Sequence, residues 1–279
     1  MKSVDWANRF DTLSVSEVGA VRIVKMNRPD ERNAADAVMH RELADIWAVL
    51  AEDPGCNAVI LTGAGRAFSA GGDLPRMVAT QQDQSIQDEV FAEARRTVLG
   101  MVDLPQPLIA AVNGPAVGLG ASLVSLCDMA IASDRAFLAD PHLGIGLVPA
   151  DGAALLWPTM MGPMRAKRYV FTGERIPADE AVRLGLLNEV VPPDQVMPAA
   201  LELATKLCEI PAVALRDTKR LMSAHATRAL RDVLDDALSR ERVSVNSADH
   251  LLLTRKLVGT NSQVDTRRSA RDIAPEGLR

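Results

Sequence analysis

Two places in this 279-residue chain put glycines where a buried strand ends. The first runs Leu61-Thr62-Gly63-Ala64-Gly65-Arg66-Ala67-Phe68-Ser69-Ala70-Gly71-Gly72-Asp73-Leu74. The second is Pro107 to Ser133. It opens with an apolar strand, Leu108 to Val112, broken by Asn113-Gly114-Pro115. Gly118 and Gly120 then flank a turn, an apolar helix is expected from about Leu119 to Leu126, and a strand from Met129 to Ala132. A strand that feeds a glycine turn and a helix start leaves backbone N–H groups free at the positive end of the helix dipole. Such a place suits a developing negative charge. Gly118-Leu119-Gly120 is followed by Ala121-Ser122-Leu123, so the dinucleotide fingerprint fails. The phosphate-loop lysine and the G-x-S-x-G elbow are absent as well. Taken alone, the second turn reads as an oxyanion hole or as a structural corner. Two such turns favour the hole, with one N–H from each gripping a carbonyl oxygen, where losing one donor costs a few kcal/mol of barrier.

The elements that must hold these turns follow from composition and pattern. The chain is 48% hydrophobic but only 3% aromatic, so Ala, Val and Leu carry the core, as in α/β proteins with short buried strands. A net charge of −5 disfavours generic nucleic-acid binding. Cys56, Cys127 and Cys208 are widely spaced and odd in number, which reads as buried thiols in a reducing compartment and not as a disulfide frame or a metal site. A polar start and the lack of an apolar run near ~20 residues point to a cytoplasmic protein that does not cross a membrane.

Leu13 to Val18 and Ala20 to Met26 predict a hairpin about Gly19. Asp36 is placed to cap a helix running to about Glu52, and Ala58 to Leu61 is a short buried strand. Pro75 to Gln87, rich in glutamine, reads as a mobile loop over a site or a surface linker, with a helix from Glu89 to Asp103. Further helices are expected at about Gly152–Met161, Met164–Phe171 and Gln195–Cys208, with a strand at Leu187–Val191 between the last two. From Pro211 only helix is expected, in three pieces: Ala212–His225, Ala229–Ser247 and one near His250–Val258. The division is a core over residues 1–205 and a helical module for assembly over 206–279, ending in a polar tail from Asn261. His40, His225 and His250 fall on expected helices away from the turns and read as structural.

The two turns and their surroundings resemble the crotonase superfamily, the enoyl-CoA hydratase/isomerase family. The resemblance rests on Asn27-Arg28-Pro29 with Arg32-Asn33-Ala34, on both turns, on Cys127 to Ser133, on Leu143-Gly144-Ile145-Gly146-Leu147-Val148-Pro149, and on Thr172-Gly173 through Val190-Val191-Pro192. It implies an α/β fold, a spiral of ββα units followed by helices that build trimers or stacked hexamers. It also implies an acyl-CoA thioester as substrate, with no separate cofactor and no metal. By motif position the oxyanion donors would be the N–H groups of Gly72 and Leu119. Ala70, Asp73 and Leu74 would lie along the CoA, and Arg28 and Arg66 would meet its phosphates. A thioester carbonyl so held stabilises an enolate, but moving protons needs an acid/base side chain.

Here the sequence departs from the family's hydratases. Their two glutamate positions are occupied by Ser122 and His142. Pro149-Ala150-Asp151-Gly152-Ala153 resembles the P-G-D-G-A of a family member that cleaves a C–C bond in a cyclic diketone. That enzyme has a histidine where this chain has Leu119, so the match is partial. Asp151 is thus read as catalytic, as the N-cap of the following helix, or as both. His142, titrating near neutrality, reads as a base or acid, or as a hydrogen-bonded loop histidine. The expected activity is hydration of an enoyl-CoA. Enoyl-CoA isomerisation, C–C bond hydrolysis and non-catalytic CoA-thioester binding are the alternatives.

Overall fold

A computed structural model describes residues 4–6 and 9–257. Strands β1 (Leu13–Val18) and β2 (Val21–Met26) form the expected hairpin, turning at Gly19 with φ +58°. Helix α1 (Ala37–Glu52) starts where Asp36 accepts from the Met39 N–H at 2.9 Å. Strand β3 (Ala58–Gly63) then pairs parallel to β2.

The glutamine-rich segment is helical. Helix α2 (Leu74–Gln82) is capped by Asp73 and carries Pro75 in its first turn. Asp83 then ends α2 and caps α3 (Gln84–Asp103). The expected loop is therefore corrected: polarity hid the helices, although glutamine is a good helix former and both caps stand in the sequence.

Strand β4 (Leu108–Val112), the two-residue β5 (Ala116–Val117), helix α4 (Leu119–Leu126), β6 (Met129–Ser133) and β7 (Phe137–Ala139) follow. Helices α5 (Ala153–Met161) and α6 (Pro163–Thr172) come next, then β8 (Ile176–Pro177), α7 (Ala178–Arg183), β9 (Glu189–Val191) and α8 (Val196–Cys208). The main sheet runs β1-β2-β3-β4-β6-β9, all pairs after the hairpin being parallel, and β5-β7-β8 form a small second sheet. Strands β3 and β4 are buried along their whole length. Val59, Leu61, Leu108 and Ala110 face the larger apolar layer, shared with α1, α3 and α4. Ala58, Ile60, Ile109 and Ala111 face α8. A strand covered on both sides has no polar face to alternate with, which explains the unbroken apolar runs.

The helical end differs from expectation. Helix α9 (Ala212–Val245) is one uninterrupted helix of 34 residues, about 50 Å long, and no break occurs near 226–228. Leu230, Leu234 and Leu238, four residues apart, are buried against the core and carry the helix through that region. Near its start Lys219 Nζ meets Asp128 at 2.6 Å and the Gln106 carbonyl at 2.8 Å. Near its end Arg242 pairs with Asp88 and lies over the Phe91 ring, Gln87 Nε2 donates to Asn246 Oδ1 at 3.2 Å, and the Val148 N–H donates to Ser244 Oγ at 3.1 Å. Those contacts fix the rotation of α9 about its axis. Helical backbone resumes over 248–257, and the tail from Asn261 lies outside the described residues.

Candidate active site

The two glycine turns sit against each other. The Val117 N–H donates to the Ser69 carbonyl at 2.9 Å, and the Phe68 and Ser69 N–H groups donate to Pro115 at 3.1 and 3.2 Å. A single parallel bridge joins Ser69 to Ala116 and another joins Ala35 to Gly72. The approach leaves no room for side chains. A Cβ on Gly120 would stand 2.6 Å from the Ser69 carbonyl oxygen. Gly71, at φ +95°, would place one 2.8 Å from Val117 O and 3.7 Å from Leu119 N. Asn33 braces the first turn from beneath. It is fully buried, with φ +56°, and its Nδ2 donates to the carbonyls of Ala64, Ala67 and Phe68 at 2.9, 2.9 and 3.2 Å. Leu119 is the first residue of α4, and its N-cap Gly118 has no side chain to offer that helix end. Among the described residues neither the Gly72 nor the Leu119 N–H donates to a protein acceptor.

Gly72 and Leu119 line a cavity of about 830 Å³, which also reaches Asp151, His142 and, on α9, Glu241. His142 opens a 3-10 turn (His142–Ile145), and its Nδ1 lies 2.6 Å from Asp140 Oδ1. Asp140 is almost completely buried, and its Oδ2 has no hydrogen-bond partner. Burial of the His142 ring pushes its pKa down. The Asp140 carboxylate in contact with it, with Asp151 and Glu241 behind, more than offsets this and raises the value to about 10. The expectation that His142 titrates near neutrality is therefore corrected: at neutral pH it is an imidazolium. A Cβ on Gly118 would be only 3.6 Å from its Cε1, so the positive ring adjoins the second turn.

Asp151 does not cap a helix. Helix α5 begins at Ala153 with Gly152 as N-cap, and the Asp151 carboxylate accepts instead from Ser122 Oγ at 2.8 Å. The close approach of Gly152 to Ser122, where a Cβ would come within 2.4 Å of Oγ, brings this pair together. Ser122 itself is fully buried. Glu241 enters from α9, and no hydrogen bond or ion pair holds its carboxylate among the described residues. Burial pushes its pKa up to about 8, Asp151 reinforcing the rise and His142 opposing it.

Of the other residues singled out by sequence, Arg66, Ala70, Asp73 and Leu74 line the cavity. Arg28 is not on its wall. Its guanidinium lies 3.3 Å from Asp36 and 3.8 Å from Asp73 and donates to the Ala34 carbonyl, so it ties the first turn to the α1 cap. His40 and His250, read as remote, both line the cavity. His40 Nδ1 is 2.7 Å from Glu93, and His250 Nδ1 is 2.6 Å from the Ile145 carbonyl. Asp140 was detectable as a neighbour of His142, but nothing in the local pattern marks Glu241. Among the described residues no group of His, Cys, Asp and Glu is arranged to hold a metal, and no helix is long and apolar enough to cross a membrane.

Comparison with known proteins agrees with this arrangement. The sequence profile of the enoyl-CoA hydratase/isomerase family matches residues 16–249. The chain is 35% identical over 234 residues to a short-chain-enoyl-CoA hydratase of Clostridium acetobutylicum, covering 83% of this chain and 87% of that one. It is 30% identical to a crotonyl-CoA hydratase of Syntrophomonas wolfei over 83% and 87% of the two chains. Among solved structures, an enoyl-CoA hydratase/isomerase from Mycobacterium paratuberculosis superposes with a TM-score of 0.87 at 42% identity, over 89% of this chain and 99% of that one. With the paired glycine turns in place and relatives matched over most of its length, the chain belongs to the enoyl-CoA hydratase/isomerase family of enzymes.

Proposed function

We propose that the protein binds an acyl-CoA thioester with its carbonyl oxygen between the N–H groups of Gly72 and Leu119, and adds water across the double bond of a 2-enoyl-CoA. The observation that carries this reading is the apposition of two glycine turns in which, among the described residues, the Gly72 and Leu119 N–H groups have no protein acceptor, on a cavity that also holds Asp151. Two N–H donors polarise the thioester and stabilise the enolate that forms when a nucleophile reaches C3. Asp151, oriented by Ser122, takes a proton from the attacking water. The His142 imidazolium, held charged by Asp140, adds positive potential beside the same turn. Arg66, Ala70, Asp73 and Leu74 lie along the CoA, which is part of the substrate. Residues 206–279 assemble copies into a trimer or hexamer, a reading supported by exposed Val213, Leu221, Met222 and Val243 on α9.

The test is the loss of enoyl absorbance when the protein is mixed with crotonyl-CoA. Wild type turns over, and Asp151→Asn loses ~10²–10⁴-fold. Absence of turnover in wild type, despite calorimetric binding of a CoA thioester, overturns hydration. A second reading, movement of the double bond between C3 and C2, is favoured by Ser122 and His142 at the two hydratase glutamate positions. It is tested with a 3-enoyl-CoA, and β-diketone hydrolysis and silent binding follow as outcomes.

A further inference from the structure

Hydration as proposed leaves one proton transfer unassigned. Asp151 removes a proton from water, yet C2 must gain one. The Ser122 hydroxyl donates to Asp151, and the His142 imidazolium keeps its Nδ1 proton on Asp140 while its Nε2–H lies beside Gly118 of the second turn. Glu241 is differently placed. Helix α9 is held in the turn that follows it, by Arg242 to Asp88 and by Ser244 to the Val148 N–H. Glu241 and Val245, one turn apart, therefore share a face on the cavity. Glu241 lines that cavity and its carboxyl makes no hydrogen bond or ion pair among the described residues, whereas the carboxylates of Asp140, Asp151 and Glu93 each hold a hydrogen-bond partner. A half-buried carboxyl group held against a ligand cavity without a partner suits exchange of a proton with the ligand.

We infer that Glu241 is a catalytic acid/base of this site, exchanging a proton with C2 of the bound acyl-CoA. The inference rests on the thioester reading above. In the hydration direction the water oxygen bonds to C3 while its proton passes to Asp151. The C2–C3 π pair collects as the enolate, and the Glu241 O–H gives its proton to C2. Asp151 ends protonated and Glu241 ionised, and one proton returned from Asp151 to Glu241 restores the site. The charges that face Glu241 are Asp140 just after β7, His142 from the 3-10 turn and Asp151 from the loop before α5, with His250 on the same cavity. Burial raises its proton affinity most, and the two carboxylates add to it against the opposing His142 charge, so that it carries a proton at neutral pH.

The experiment uses the full chain, with Glu241→Gln as the isosteric variant and Glu241→Asp as the conservative one. Two rates are read: hydration of crotonyl-CoA, and exchange of the C2 protons of butyryl-CoA in D2O by mass spectrometry. Thioester binding is checked by calorimetry. The expected result is binding within threefold of wild type, a loss of at least ~100-fold in both rates for Glu241→Gln, and partial rescue in Glu241→Asp. The wild-type hydration rate declines above about pH 8, a limb that Glu241→Gln removes. If wild type hydrates and Glu241→Gln hydrates within threefold with the same pH limb, the inference is overturned and the hydratase reading stands. If wild type does not hydrate but exchanges C2 protons, and Glu241→Gln abolishes that exchange, hydration is wrong and the role of Glu241 stands. If wild type does neither, both are overturned.

Discussion

Replacing Asp140 by Asn tests the electrostatics of the site most directly. Asp140 contacts the His142 ring at 2.6 Å in a buried setting, and the ring's pKa stands near 10 against an ordinary 6.5. At ~1.4 kcal/mol for each tenfold change, that rise is a preference for the imidazolium on the order of 5 kcal/mol. A single opposite charge in contact typically supplies ~1–3 of those tenfold steps. Asp140→Asn should therefore bring the His142 pKa down to roughly 7–9 and cost ~2–4 kcal/mol of stability at pH 6. The sign follows from linkage. Below about pH 6.5 the ring is protonated in both the folded and the unfolded chain, and the full stabilisation is present. As pH rises towards 10, the folded protein retains a proton that the unfolded chain has released, so the contribution shrinks and disappears above that range. Thermal melts of wild type and variant should differ most near pH 6, by about 5–15 °C, and converge towards pH 10. Histidine NMR should show a wild-type ring that stays protonated from pH 6 to 9. A His142 that titrates near 6.5 in wild type, or a melting gap independent of pH, refutes the reasoning.

Other consequences are as concrete. Asn33→Ala removes the donor shared by the Ala64, Ala67 and Phe68 carbonyls, of which Ala67 keeps Asn113 Nδ2, and asks Ala to hold φ +56°, so urea unfolding should show a loss of ~3 kcal/mol or more. Asn33→Gly should recover about 1 kcal/mol of that, and a loss under 1 kcal/mol in Asn33→Ala contradicts the bracing role. Gly120→Ala drives a Cβ onto the Ser69 carbonyl, which separates the turns; stability should fall by ~1–3 kcal/mol and calorimetric affinity for a CoA thioester by at least tenfold, whereas unchanged binding speaks against the paired turns. Burial pushes the Cys56 thiol up to about 12, so iodoacetamide at pH 8 should leave it unlabelled in the folded protein and label it quickly in urea; rapid native labelling contradicts this.

The amino-acid order by itself determined the parts of this protein that are local. Leu108–Val112, the break at Asn113-Gly114-Pro115 and the helix from Leu119 lie within a few residues of one another, and strand, turn and helix start are set by neighbours along the chain. The hairpin at Gly19 and the Asp36 cap were readable for the same reason. The family itself was legible because glycines cannot be exchanged where backbones meet as closely as Gly120 and Ser69. Tertiary structure decided what depends on distant segments coming together. Glutamine-rich polarity concealed α2 until its caps were seen in place, and three buried leucines made α9 one helix across an expected break. The ionisation of His142 was not legible, because a histidine's proton affinity is set by burial and by charges such as Asp140, Asp151 and Glu241 that surround it only after folding. Asp151 and Glu241 reach one cavity from separate elements, the loop before α5 and the last turns of α9. A carboxylate's chemistry is fixed by that surrounding space, which the order of residues along a helix does not describe.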